Sequence, residues 1–80
     1  MKLPRDLSGA QLAKALARVG YRITRQTGSH MRLISHSPPE HQLTTPAHDP
    51  LRVGTLAAIL ADVAAHQETN RDELLYRLFG

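Results

Sequence analysis

Few residues in this 80-residue chain could carry chemistry, because it has no cysteine and no tryptophan. The most informative stretch is Gly28-Ser29-His30, a histidine directly after a Gly-Ser turn and at the start of an apolar run. An unperturbed imidazole titrates near pH 6.5 (about), so His30 can give or take a proton close to neutrality. The turn before it can offer backbone N–H groups to a phosphate. The plainer alternative is a strand-end histidine bonded to a neighbour. His48, in Pro46-Ala47-His48, is the second candidate. It could complement His30, bind phosphate or cap the following helix, and a positioning role is favoured over a catalytic one. His36, His41 and His48 invite a metal reading, but no HxxxH or HExxH spacing occurs, so no metal site is expected. His66 reads as a solvated residue at a helix C-terminus, where a cation is mildly favourable.

The charge pattern points to a polyanion. Net charge is +3, and Arg5, Lys14, Arg18, Arg22, Arg25 and Arg32 all lie in the N-terminal half, the half that carries His30. Asp62, Glu68, Asp72 and Glu73 lie in the C-terminal part. Arginine matches phosphate geometry with paired N–H donors, so Lys14, Arg18, Arg22, Arg25 and Arg32 are candidate phosphate contacts. Arg32 leads, on the strand face of His30, and Arg25 follows, just before the turn. Aromatic residues are scarce, so a stacking platform for bases is missing. The chain lacks both a signal-peptide core and an apolar run of membrane-spanning length, and a cytoplasmic location is expected. One domain over residues 1–80 is expected, and a domain this small buries only about 60% of its unfolded surface.

The elements that must position these residues follow from periodicity. Ser8 is a good N-cap for a helix with Leu12, Leu16 and Val19 on one face, closed by Gly20. Residues 21–26 alternate as a strand, 27–29 form a turn, and 30–36 form a second strand. In that strand Met31 and Leu33 share one face, while His30, Arg32 and Ile34 share the other. Ser37-Pro38-Pro39-Glu40 breaks the chain, and a short third strand spans 42–45. A second helix starts near Val53 or Gly54, with Leu56, Ile59, Leu60 and Val63 as its apolar stripe. Gly54 is read as permitting a close approach to the sheet. A last helix from about Asn70 buries Leu74, Leu75, Leu78 and Phe79. Short connections between the strands predict an α+β fold. A three-stranded antiparallel meander would be covered by helices on one face and open on the other.

Taken in order, Gly28-Ser29-His30, Pro46-Ala47-His48 and Gly54-Thr55-Leu56 with Ile59-Leu60 resemble the HicA family of small toxin ribonucleases. In that family a G-S-H turn carries the catalytic histidine, and a P-x-H segment leads into a G-T-L-x-x-I-L helix. The resemblance implies a double-stranded-RNA-binding-like fold, α-β-β-β-α with an extra C-terminal helix. It implies an endoribonuclease, an mRNA interferase, with His30 catalytic. Gly28, Ser29, Arg25, Arg32 and His48 are read on the substrate side from their own chemistry and placement, and no metal or cofactor is expected. It also implies a cognate HicB-like antitoxin that forms a hetero-oligomer with the chain and blocks it. Many relatives carry a second histidine or an aromatic after G-S-H, where this chain has Met31-Arg32. The alternative is a non-catalytic RNA-binding module on the same fold, which needs no histidine at a turn.

Overall fold

The computed structural model describes residues 2–80. It contains α1 (Gly9–Leu16), a 3₁₀ turn (Ala17–Val19), β1 (Tyr21–Thr27), β2 (His30–Ser35), β3 (His41–Pro46), α2 (Val53–His66) and α3 (Arg71–Phe79). The sheet is antiparallel in the order β1-β2-β3, so the α+β meander expected from the sequence is present. Boundaries move slightly. β1 takes in Thr27 and β3 takes in His41 and Pro46, while β2 stops at Ser35. Proline is tolerated at the end of β3 because β3 is an edge strand, where a missing N–H breaks no ladder.

The ends of α1 and α3 are closed by nameable contacts. The Ser8 hydroxyl accepts from the Gln11 N–H at 3.0 Å, and the Ser8 N–H donates back to the Gln11 side chain at 2.9 Å. Gly20 takes φ +97° after the 3₁₀ turn, a conformation that glycine adopts without steric cost. The Asn70 side chain accepts from the Glu73 N–H at 2.8 Å. At the other end of α3, Arg18 Nη1 donates to the Leu78 carbonyl at 3.0 Å and Nη2 to the Gly80 carbonyl at 3.3 Å. A cation at a helix C-terminus is stabilising, and this one is fully occupied. Arg18, a candidate phosphate contact by sequence, is thus a structural cap.

Leu12, Leu16, Leu33, Leu60, Val63, Leu74, Leu75 and Leu78 form the middle of one buried cluster, with Phe79 packed at its margin. In β2 the alternation is strict: Met31, Leu33 and Ser35 are buried under the helices, and His30 and Arg32 are exposed on the far side. The close approach sits elsewhere than the sequence suggested. A Cβ at Gly54 would meet nothing within 4 Å. A Cβ at Gly9 would overlap the Pro46 carbonyl, and the Gly9 N–H donates to the His48 carbonyl at 2.8 Å. The Leu51 N–H donates to the Leu7 carbonyl at 2.8 Å. The start of α1 is therefore clamped onto the loop that leaves β3.

His66 is only partly exposed. It stacks on His41 with ring centroids 4.5 Å apart and an interplanar angle of 15°. The Tyr21 hydroxyl donates to His41 Nδ1 at 2.6 Å, and His41 Nε2 donates to Asp62 at 3.2 Å, a pattern satisfied by one neutral tautomer. This cluster joins the first residues of β1 and β3 to the last turns of α2, at the end of the sheet opposite His30.

Burial pushes the Tyr21 phenol above its ordinary value of 10.0; a hydrogen bond with Gln67 opposes the rise and the Asp62 carboxylate adds to it. The folded state therefore holds the phenol proton more tightly than the unfolded state does. Stability from this group is whole below about pH 10 and is lost as pH rises through the raised pKa. Urea unfolding midpoints should fall more steeply from pH 9 to pH 11.5 in the wild type than in Tyr21→Phe. Parallel profiles would show that Tyr21 does not carry the alkaline loss. Separately, Gly9→Ala should cost about 1–3 kcal/mol through the forced overlap with Pro46, against a few tenths or a gain for Gly54→Ala, both read from urea unfolding.

Candidate nucleic-acid interface and active site

The open face of the sheet is built by register. Across β2, His30 stands opposite Thr27 and Pro46, Arg32 opposite Arg25 and Thr44, and Ile34 opposite Arg22 and Gln42. Directly paired residues share a face, so these side chains form three rows on the face away from the helices. None of these residues is acidic. A shallow cavity of about 160 Å³ lies on this face, lined by Arg25, Thr27, His30, Arg32 and Thr44.

His30 owes its placement to two features. It begins the central strand, so its backbone is fixed by pairing on both sides, to Thr27 and to Pro46. The connection to β1 is a two-residue turn in which Gly28 alone takes a positive φ, +56°. That is the first central position, where a type II′ hairpin turn calls for glycine. No other atom lies within 4 Å of a Cβ at Gly28, so the glycine is there for its backbone angle and not for space.

Arg25 reaches the open face through an irregularity. Simple alternation from Tyr21 would place Arg22 and Thr24 together and send Arg25 to the side of Tyr21 and Ile23. The register shifts between Ile23 and Arg25, with Thr24 as the extra residue, so Arg25 pairs with Arg32. The Thr24 hydroxyl donates to the Arg32 carbonyl at 3.4 Å, a long bond across the bulge. Bulges of this kind re-aim a side chain at a site. The outcome is two guanidinium groups directly opposed on neighbouring strands. Like charges so placed are destabilising. Among the described residues, no ion pair neutralises Arg22, Arg25 or Arg32.

The remaining expected residues are distributed as follows. Gly28 and Ser29 form the turn beside the cavity and do not line it. The Ser29 carbonyl accepts from the Ala47 N–H at 2.6 Å, which draws the Pro46-Ala47-His48 segment alongside the turn. The exposed side chain of His48 lies at this end of the sheet but outside the cavity, and its carbonyl holds Gly9. Lys14 sits on α1, where it lines a groove at the α1–β1 edge with Ala13, Ala17, Arg22 and Ile23 and not the His30 cavity. His36 pairs with Glu40 at 3.1 Å and His41 belongs to the Tyr21 cluster, so these two candidate metal ligands are engaged separately. No group of three or more histidine or acidic side chains among the described residues is arranged to hold a metal ion. No helix among them is long and apolar enough to cross a membrane. Thr27 and Thr44 were not singled out by the sequence; only the strand register brings their hydroxyl-bearing side chains to the cavity.

The arrangement offers one imidazole, two cationic forks and two hydroxyl groups around a volume suited to a phosphodiester. The exposed Arg25–Arg32 pair yields a direct expectation. Arg25→Gln should leave stability unchanged or raise it by up to about 1 kcal/mol at low salt, because a cross-strand repulsion is removed. Inorganic phosphate should stabilise the wild type and should stabilise Arg25→Gln much less. Equal phosphate-dependent shifts in thermal midpoint for the two proteins would count against anion binding between these arginines.

A family model described as HicA toxin of bacterial toxin–antitoxin matches residues 9–64 of the chain. Comparison with curated proteins and with solved structures returned no match.

Proposed function

We propose, for a chain that belongs to the HicA family of toxins from bacterial toxin–antitoxin pairs, that it cleaves messenger RNA with His30 in the proton-transfer role. Toxins of this family are generally ribonucleases, and the family implies an antitoxin partner and an RNA target. The observation that carries the reading is the cavity that joins His30 to Arg25 and Arg32 with no acidic residue in its lining.

RNA brings its own nucleophile, the 2′-hydroxyl next to each phosphodiester. Attack by that oxygen on phosphorus requires removal of its proton, and the departing 5′-oxygen must gain one. His30 is the group in the cavity suited to proton transfer near neutral pH. Arg25 and Arg32 bind the non-bridging oxygens and stabilise the charge that grows on them in the transition state. The Gly28-Ser29 turn sets the position of His30, and His48 serves the substrate side from the adjoining loop. The products are a 2′,3′-cyclic phosphate and a 5′-hydroxyl, and the reaction needs no metal because the substrate supplies the nucleophile. Residues 1–80 act as one domain. A HicB-like antitoxin blocks the chain by covering the open face, whose exposed cationic rows favour an acidic partner.

The test is His30→Ala. General acid–base loss lowers rates about 10²- to 10⁴-fold. The exposed side chain should cost no more than about half a kcal/mol of stability. Cleavage of messenger RNA should therefore collapse with the circular dichroism spectrum and RNA affinity preserved, and wild-type cleavage should persist in a chelator. If the folded variant cuts as fast as the wild type, the catalytic role is wrong and a non-catalytic RNA-binding module takes its place.

A further inference from the structure

We infer that Arg22, Ile34 and Gln42 form a second subsite on the open face, which takes a nucleotide of the single-stranded RNA on one side of the cut. The inference rests on the endoribonuclease reading above. It begins from the register, which pairs Ile34 with Arg22 on one side and with Gln42 on the other. These side chains form one row across the sheet, on the same face as the cavity. Ile34 is two residues beyond Arg32 along β2, a distance of about 6.7 Å at the usual rise of a strand. Stacked nucleotides advance about 3.4 Å each. The row therefore lies two stacked nucleotides, or one extended nucleotide, from the phosphate that the cavity would hold.

The chemistry of the row suits a nucleotide. Arg22 is exposed and has no carboxylate partner among the described residues, so its guanidinium can receive a phosphate. Ile34 is half-buried and gives an apolar seat for a base. Gln42 donates through Nε2 to Glu40 at 3.3 Å, which holds the amide in place and leaves its carbonyl oxygen to accept from a base edge. With no aromatic side chain in the row, base preference here would come from that edge contact and not from stacking.

The row also limits the strand. Beyond it, Glu40 sits 3.3 Å from Gln42 and 3.1 Å from His36, so a carboxylate marks the far end of the face. A phosphodiester is repelled there. A single RNA strand along β2 thus meets the subsite on one side of the cut, and on the other it passes out over the Gly28-Ser29 turn. The benefit of longer RNA should be one-sided.

The experiment maps the wild-type cut in a single-stranded messenger RNA. It then compares three synthetic RNAs: the two nucleotides at the cut, the same core extended on the 5′ side, and the core extended on the 3′ side. One extension should lower the wild-type KM by roughly tenfold, as expected for a charge-assisted contact. Arg22→Gln should lose that gain with kcat unchanged, and cut the core as the wild type does. Arg22→Lys should recover much of it. The salt dependence of log kcat/KM on the extended RNA should weaken by about 0.7 in Arg22→Gln, the share of one phosphate on a single strand. The subsite is overturned if Arg22→Gln affects all three RNAs equally or affects none. It is also overturned if the two extensions help equally. A wild-type protein that cuts no RNA would remove the endoribonuclease reading itself, a result distinct from an Arg22 variant that behaves like the wild type.

Discussion

β2 is hydrogen-bonded along both edges, and every other feature of the molecule depends on its register. A slip of one residue would turn Met31 and Leu33 to solvent and drive His30 and Arg32 into the apolar layer. The burial of Met31 and Leu33 against the helices holds that register. The same burial therefore displays His30 and Arg32 on the other face. Core packing and site assembly are two consequences of one alternation.

The site is made at some expense of local stability. Arg25 and Arg32 face each other across adjacent strands, where an opposite charge or an apolar pair would serve the sheet better. A regular β1 would have separated them, and the bulge at Thr24 brings them together. An 80-residue chain has a small apolar core with which to offset such a pair. An anion bound between the two guanidinium groups would remove the repulsion, so binding there would be coupled to sheet stability. Arg18, although similar in sequence context, is excluded from this function because α3 needs it at its C-terminus.

The histidines divide between the two ends of the sheet. At the turn end His30 stands exposed on the cavity, and His48 lies close by in the loop anchored to Ser29 and Gly9. At the opposite end His41 and His66 stack beside Tyr21 and close the gap between the sheet and α2. Glu40 and Asp62 engage the histidines of that end, which keeps carboxylates away from the cavity.

By itself the sequence determined the order of elements, the capped start of α1, the two faces of β2 and the family to which the chain belongs. Each of these is written in local spacing: a period of 2 in β2, an i, i+3 or i+4 stripe in each helix, and Ser8 or Asn70 at a helix start. His30 was legible because a glycine turn and an alternating strand both act over a few residues. Tertiary structure alone decided what depends on partners distant in the chain. The bulge that aims Arg25, the arrival of Thr44 from β3 and the capture of Arg18 by α3 leave no periodic trace in the sequence. The same holds for Gly9, whose missing side chain is explained only by the Pro46 carbonyl against it, and for His66, partly covered by the His41 ring on β3. Local patterns encode which face a side chain takes, while packing across the sheet settles which side chains meet.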